Sequence, residues 1–244
     1  MNANPAMRLM EAQWLNLVRT PAYTLPTILF PVMFYSFFGL VMLPGQSLWL
    51  LCTFATFGVM GAALFAFGVG IAMERAQGWL LLLRASPAPI YAVIAGKVFG
   101  ALLFSLLIVV MMSALAAGFG GVRLHTHQWL LLAAVLVAGA LPFCLMGLAM
   151  GLWLKPNAAP PAVNLVYLPL GFLSGLWIPA TQLPAGLQAL AAWLPPYHLA
   201  ALALDVTGAK PADWGVALAN LGAFTVLFGA ATVLGWRRLD GAGR

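Results

Sequence analysis

Four charged side chains, Glu74, Arg75, Arg84 and Lys97, gather between Met73 and Val98 around the apolar run Trp79 to Leu83, in a chain of which only 7% is charged. The other residues that could do chemistry are scattered. Cys52 and Cys144 both sit inside long apolar runs, where a small thiol packs as a hydrophobe and nothing points to a redox pair. His125 and His127 form an H-x-H beside Arg123, but two imidazoles are too few for a closed metal site, so this reads as a solvated loop that holds no metal. The stretch "YAVIAGKV" ends in Gly96 and Lys97, yet it lacks the first glycine and the following Ser or Thr of a phosphate-cradling loop. No apolar run offers paired carboxylates, metal ligands or a nucleophile beside a base, which argues against an intramembrane enzyme.

The elements that must position those charges follow from composition. With 64% hydrophobic residues and a mean hydropathy of +1.00, the chain lies far from soluble domains, which carry about 25% charged residues. It reads as an integral membrane protein. The net charge of +6 comes from basic residues at the ends of apolar runs rather than from one face, so it suits membrane orientation and not nucleic acid. Crossing a hydrocarbon core takes about 20 mainly apolar residues. Runs of that kind fall at 23–43, 48–73, 98–119, 129–154, 158–177 and 214–236. Backbone satisfaction in lipid demands helices, and nothing alternates with the period of a barrel strand. The expectation is an all-α, polytopic fold with six spans in a single domain.

Lys and Arg near span ends favour the cytoplasm. Arg8, Arg19, Arg75, Arg84, Lys97, Lys155, Arg237, Arg238 and Arg244 fall on the side shared by the two termini, nine of the eleven basic residues, with Arg123 and Lys210 opposite. Both termini and the loop 74–97 are therefore expected in the cytoplasm. A cleaved signal peptide is not expected, because the first apolar run is long, carries Pro26 and Pro31, and lacks a small-residue cleavage site. Before it, residues 5–20 place Met7, Met10, Trp14, Leu17 and Val18 at helical spacing, with Arg8, Glu11, Gln13, Asn16 and Arg19 largely elsewhere on the wheel. That is an amphipathic helix for the membrane surface or for a partner.

Carriers driven by protons or ions keep ionisable groups within their spans. The predicted span interiors hold none: Glu74, Asp205 and Asp213 lie at or beyond membrane edges, and Asn164 and Tyr167 are the most polar features inside a span. Energy must then come from another polypeptide. The run Trp79 to Leu83 is too short to cross, and Pro87 and Pro89 interrupt any helix after Arg84. A short helix is expected, with acid near its positive end, a cation near its negative end, and an apolar face that suits lipid headgroups or a groove on a soluble partner. Glycines four apart, Gly147 with Gly151 and Gly171 with Gly175, could mark close helix contacts.

The loop resembles the signature of the type-2 ABC transporter permease family, roughly E-R-x-x-G-T-L-x-x-L-x-x-[TS]-P with G-K nine residues later. Glu74, Arg75, Gly78, Leu80, Leu83, Ser86 and Pro87 match it, and Gly96 and Lys97 close it. The segment "LSGLWIPATQLPAGLQALAAWLPPYH" is similar to the family's S-G-x-x-x-P, L-P and L-P-x-x-Y pattern through Ser174, Gly175, Pro179, Leu183, Pro184, Leu194, Pro195 and Tyr197. The resemblance implies a bacterial inner-membrane exporter subunit that pairs with a second copy of itself or a similar permease. Each subunit would hold a cytoplasmic ATPase that carries the ATP and Mg, so this chain would bind no cofactor and be no enzyme itself.

It further implies that the loop 74–97 couples to the ATPase through Glu74, Arg75, Gly78, Trp79, Leu80, Leu83, Arg84, Ser86, Pro87 and Lys97. The interfacial helix, with Arg8, Glu11, Trp14 and Arg19, would brace that contact. Residues 178–200, with Pro179, Pro184, Pro195 and Tyr197, would form outer re-entrant helices, and the substrate path would run along the subunit interface, where Asn164 and Tyr167 are candidates to line it. Trp79 replaces the family's usual threonine, and Ala76 and Leu81 stand where charges are common, so docking would rest more on apolar burial. Asp205 follows Tyr197 where many relatives carry a basic residue. An uncharged, aromatic-bearing pathway suits a drug, toxin or lipid. A lipid-linked glycan exporter, and a channel or scaffold without an ATPase, are the alternatives.

Overall fold

A computed structural model describes residues 21–78 and 90–241. Among them the secondary structure is helical throughout: α1 (Pro21–Tyr35), α2 (Ser47–Ala76), α3 (Ile90–Gly118), α4 (Thr126–Ala138), α5 (Leu141–Trp153), α6 (Ala159–Leu173), α7 (Ala185–Ala191), α8 (Pro195–Val206) and α9 (Trp214–Gly241). The chain unwinds from α1 into wider π turns over Ser36–Met42.

α2 is the axis of the bundle. It is apolar all round and rich in small residues, which is the pattern of a helix buried on every side. Helices α1, α3, α5, α6 and α8 all pack on it. Its closest neighbour is α5, and glycine makes that approach possible. A Cβ at Gly147 would stand 3.0 Å from the Leu64 carbonyl oxygen, and one at Gly151 would stand 2.6 Å from the Phe67 oxygen. Close backbone approach through small residues is how helices gain packing in lipid, where no hydrophobic force drives them together. The expected contact at Gly147 and Gly151 is therefore present. Gly171 also marks one, under the Phe57 ring, whereas Gly175 adopts φ +74° and makes a turn instead. Gly151→Ala must push two backbones apart, and a loss of about 2 kcal/mol is expected, read as a lower thermal midpoint of the detergent-solubilised protein.

Among the described residues, four helical stretches are long and apolar enough to cross a membrane, Pro44–Ala76, Ala95–Gly118, Thr126–Trp153 and Trp214–Leu239, or five if the bent pair α7 and α8 is one span. The run expected at 23–43 becomes α1 and the π turns, of which Thr27–Met42 is an apolar but shorter stretch. The run expected at 158–177 forms only α6, 15 residues long. It stops because Gly175 turns left-handed. Residues 129–154 break into α4 and α5 around Gly139 and Ala140, since Pro142 has no N–H to continue the ladder and Gly139 abuts Leu199 of α8. α3 begins at Ile90 rather than 98, so Lys97 lies inside a helix and not in a loop. Helices α7 and α8 form a pair bent by 79°, as a broken span or a re-entrant loop would.

Candidate functional site

The signature residues meet where α2 ends. Gln77 N–H donates to the Met73 carbonyl at 3.1 Å, Gly78 N–H donates to the Arg75 carbonyl at 3.2 Å, and Gly78 has φ +72°. A left-handed residue just past the last turn is the common way to stop a helix, and glycine takes it without a Cβ clash. The glycine of E-R-x-x-G thus ends α2 at a fixed point.

Glu74, near the end of α2, and Lys97, within α3, then tie those two helices together. The Lys97 ammonium donates to Glu74 Oε1 at 2.5 Å across 23 residues of sequence, with side-chain exposures of only 9% and 15%. Arg75, one residue on, turns to α5. Its Nη1 reaches the carbonyl oxygens of Gly151 at 2.9 Å, Leu152 at 2.6 Å and Leu154 at 3.4 Å. Those are orphan acceptors of a helix C-terminus, where a cation is also favoured by the dipole. Next to them, Trp153 donates its indole N–H to the Ala231 carbonyl of α9 at 3.3 Å, and the Arg238 guanidinium lies 5.1 Å from the Trp153 ring centre. Glu74, Arg75 and Lys97 therefore form a clamp that fixes the loop base to α3 and α5, and α5 is fixed in turn to α9. The charges of the E-R and G-K motifs are engaged within the chain.

Trp79, Leu80, Leu83, Arg84, Ser86 and Pro87 lie outside the described residues, as do Arg8, Glu11, Trp14 and Arg19. Trp153 and Arg238 were not foreseen as part of this site. Arg238 is legible only as an orienting charge, and its contact here is the face of the Trp153 ring; the acceptors of Arg75 are backbone carbonyls, which leave no mark in the side-chain sequence.

At the opposite end of α2 the second motif forms a chain of short helices. Ser174 and Gly175 make the turn after α6, and a Cβ on Gly175 would stand 2.8 Å from Ala180 N. Pro179 and Pro184 each directly precede a helical turn, and Pro195 opens α8. Proline costs nothing there, because the N–H it lacks would have no helical partner. Tyr197 follows in the first turn of α8, and His198 Nε2 holds the Ala192 carbonyl at 2.8 Å, stapling α7 to α8. A cavity of about 370 Å³ opens beside this segment, walled by Phe34, Phe38, Trp49, Phe54 and Trp177 with Gln182 at one side.

Asn164 and Tyr167 have different surroundings. Tyr167 is buried, its ring stacked on Phe57 at 4.3 Å and its hydroxyl donating to the Phe57 carbonyl at 3.2 Å. Asn164 is exposed and donates to the Pro160 carbonyl one turn back. Among the described residues no group of three His, Cys, Asp or Glu side chains could hold a metal.

Apolar helices of membrane-crossing length, joined at one end by a charged clamp and at the other by proline-started short helices, define a multi-pass membrane protein. The ABC-2 type transporter family profile matches residues 6–206, and the chain belongs to that family of transport permeases. It is also 27% identical over 209 residues to a Bacillus subtilis (strain 168) protein named "Putative transport permease YvfS", covering 83% of this chain and 85% of that one. Membership in this family implies, in general, an ABC ATPase as partner.

Proposed function

We propose that the chain is the membrane subunit of an ATP-binding-cassette exporter. It moves a hydrophobic or amphiphilic molecule, such as a drug, toxin or lipid, out of a bacterial cytoplasm across the inner membrane, as one half of a dimer of permeases. A separate ATPase binds ATP and Mg. Both termini and the clamp face the cytoplasm, which matches the excess of Lys and Arg at that end.

The observation that carries this reading is the clamp. A loop that meets an ATPase can move a bundle only if its base is stiff, and Glu74, Lys97 and Arg75 tie that base to α3 and α5. Glu74, Arg75 and Lys97 are then positioning residues, while Trp79, Leu80, Leu83 and Arg84 make the contact itself. The aromatic cavity beside Trp177 supports an apolar cargo at the outer end. Tagged protein solubilised gently from its native membranes should bring an ABC ATPase with it, and Trp79→Ala with Leu83→Ala should cut that recovery about tenfold, as loss of two apolar anchors does. Absence of an ATPase, or equal recovery with the variant, overturns the reading.

A further inference from the structure

A second cavity, of about 390 Å³, adjoins the aromatic one through Trp49 and Pro179 and lies between the start of α2, the Ser174–Thr181 turn, α8 and the 210–217 segment that leads into α9. Its walls are mostly apolar, with Trp49, Leu204 and Ala217 among them, and its size is that of a site for one small ligand. One polar group in it is unexplained. Ser174 is 2% exposed, and its hydroxyl has no hydrogen-bond partner among the described residues. A buried hydroxyl without a partner costs free energy that a ligand's acceptor can recover.

The rim carries Lys210, one of the two basic residues at this end of the chain. Its position is built rather than incidental. Asp205 Oδ1 accepts from Ala212 N at 3.1 Å and Oδ2 from Trp214 Nε1 at 2.7 Å, and the Ala209 and Lys210 N–H groups both bond the Leu204 carbonyl. The Asp205 carboxylate therefore has a structural role in the turn that carries Lys210. Asp213 also lines the rim, but its Oδ1 caps Val216 N at 3.1 Å, so its charge faces the positive end of α9. Lys210 has no carboxylate partner among the described residues.

We propose that this cavity is a binding site for an anionic phospholipid from the leaflet at this end. Its phosphate pairs with Lys210, an ester oxygen accepts from the Ser174 hydroxyl, and the acyl chain lies along Trp49, Leu204 and Ala217. The proposal depends on the chain lying in a bilayer and not on its coupling to an ATPase, so the two readings fail separately.

The test is native mass spectrometry of the purified chain after exposure to equal amounts of phosphatidylglycerol and phosphatidylcholine. Wild type should retain phosphatidylglycerol preferentially, and Lys210→Gln should lower that preference about fivefold, the worth of one basic residue at a membrane surface. Ala201→Phe, which fills the cavity, should reduce retention of both lipids, and inorganic phosphate alone should displace neither. Equal retention of the two lipids by wild type, an unchanged preference in Lys210→Gln, undiminished retention in a folded Ala201→Phe protein, or displacement by inorganic phosphate overturns the proposal.

Discussion

Lys97→Met should destabilise the protein by about 3 kcal/mol, because it leaves the Glu74 carboxylate nearly buried without its counter-ion. Glu74 has little else to turn to: its other oxygen, Oε2, has no hydrogen-bond partner among the described residues. The double variant Glu74→Leu with Lys97→Met should recover most of that loss, since apolar residues of similar size replace a buried pair at little cost. Thermal unfolding of the detergent-solubilised chain reads both effects. Stability and coupling should then part company. With the loop ends no longer joined by a directional bond, substrate-stimulated ATP hydrolysis by the assembled complex should stay low in the double variant although its fold has returned. Stability unmoved by Lys97→Met would mean that the pair is no clamp, and full coupling in the double variant would mean that the clamp plays no part in transmission.

The fold was legible where composition decides and obscure where continuity does. α2 and α9 follow from uninterrupted apolar runs, and the approach of α2 to α5 follows from Gly147 and Gly151 at helical spacing. Hydropathy measures how apolar a run is but not whether one helix carries it. The run at 129–154 is one membrane-crossing stretch, Thr126–Trp153, whose helix is interrupted just before Pro142, while the run at 158–177 yields α6, which ends just before Gly175. In the bent pair α7 and α8, Pro184 directly precedes the first helix and Pro195 opens the second, so prolines mark where each starts.

Site residues divide in the same way. Types and spacing drew attention to Glu74, Arg75 and Lys97 as residues that couple to a partner, and the structure shows bonds within the chain for all three. Arg75 finds backbone carbonyls, whose availability depends on where α5 ends and on no residue type. Asn164 and Tyr167 shared a reason, polarity within a span, yet three residues of helix carry one outward and leave the other in the stripe with Val163 and Gly171.

The Arg75 side chain should therefore matter as much as the ion pair beside it. Arg75→Ala removes donors from Gly151, Leu152 and Leu154 at once, and a charged donor is worth about 1.5–3 kcal/mol where the acceptor cannot reach water. A net loss of about 3 kcal/mol is expected. Arg75→Lys should return less than half of it, because an ammonium keeps the dipole interaction but cannot match the guanidinium's planar spread of donors. Location separates this from general destabilisation. Hydrogen exchange should rise at the last turn of α5, around Gly151 to Trp153, before it rises in the centre of α2, since the fraying begins where the cap was lost. Because Trp153 bonds α9 from that same turn, exchange near Ala231 should follow. If the last turn of α5 stays as protected as in wild type, the carbonyls have another partner and Arg75 is free to serve the ATPase instead.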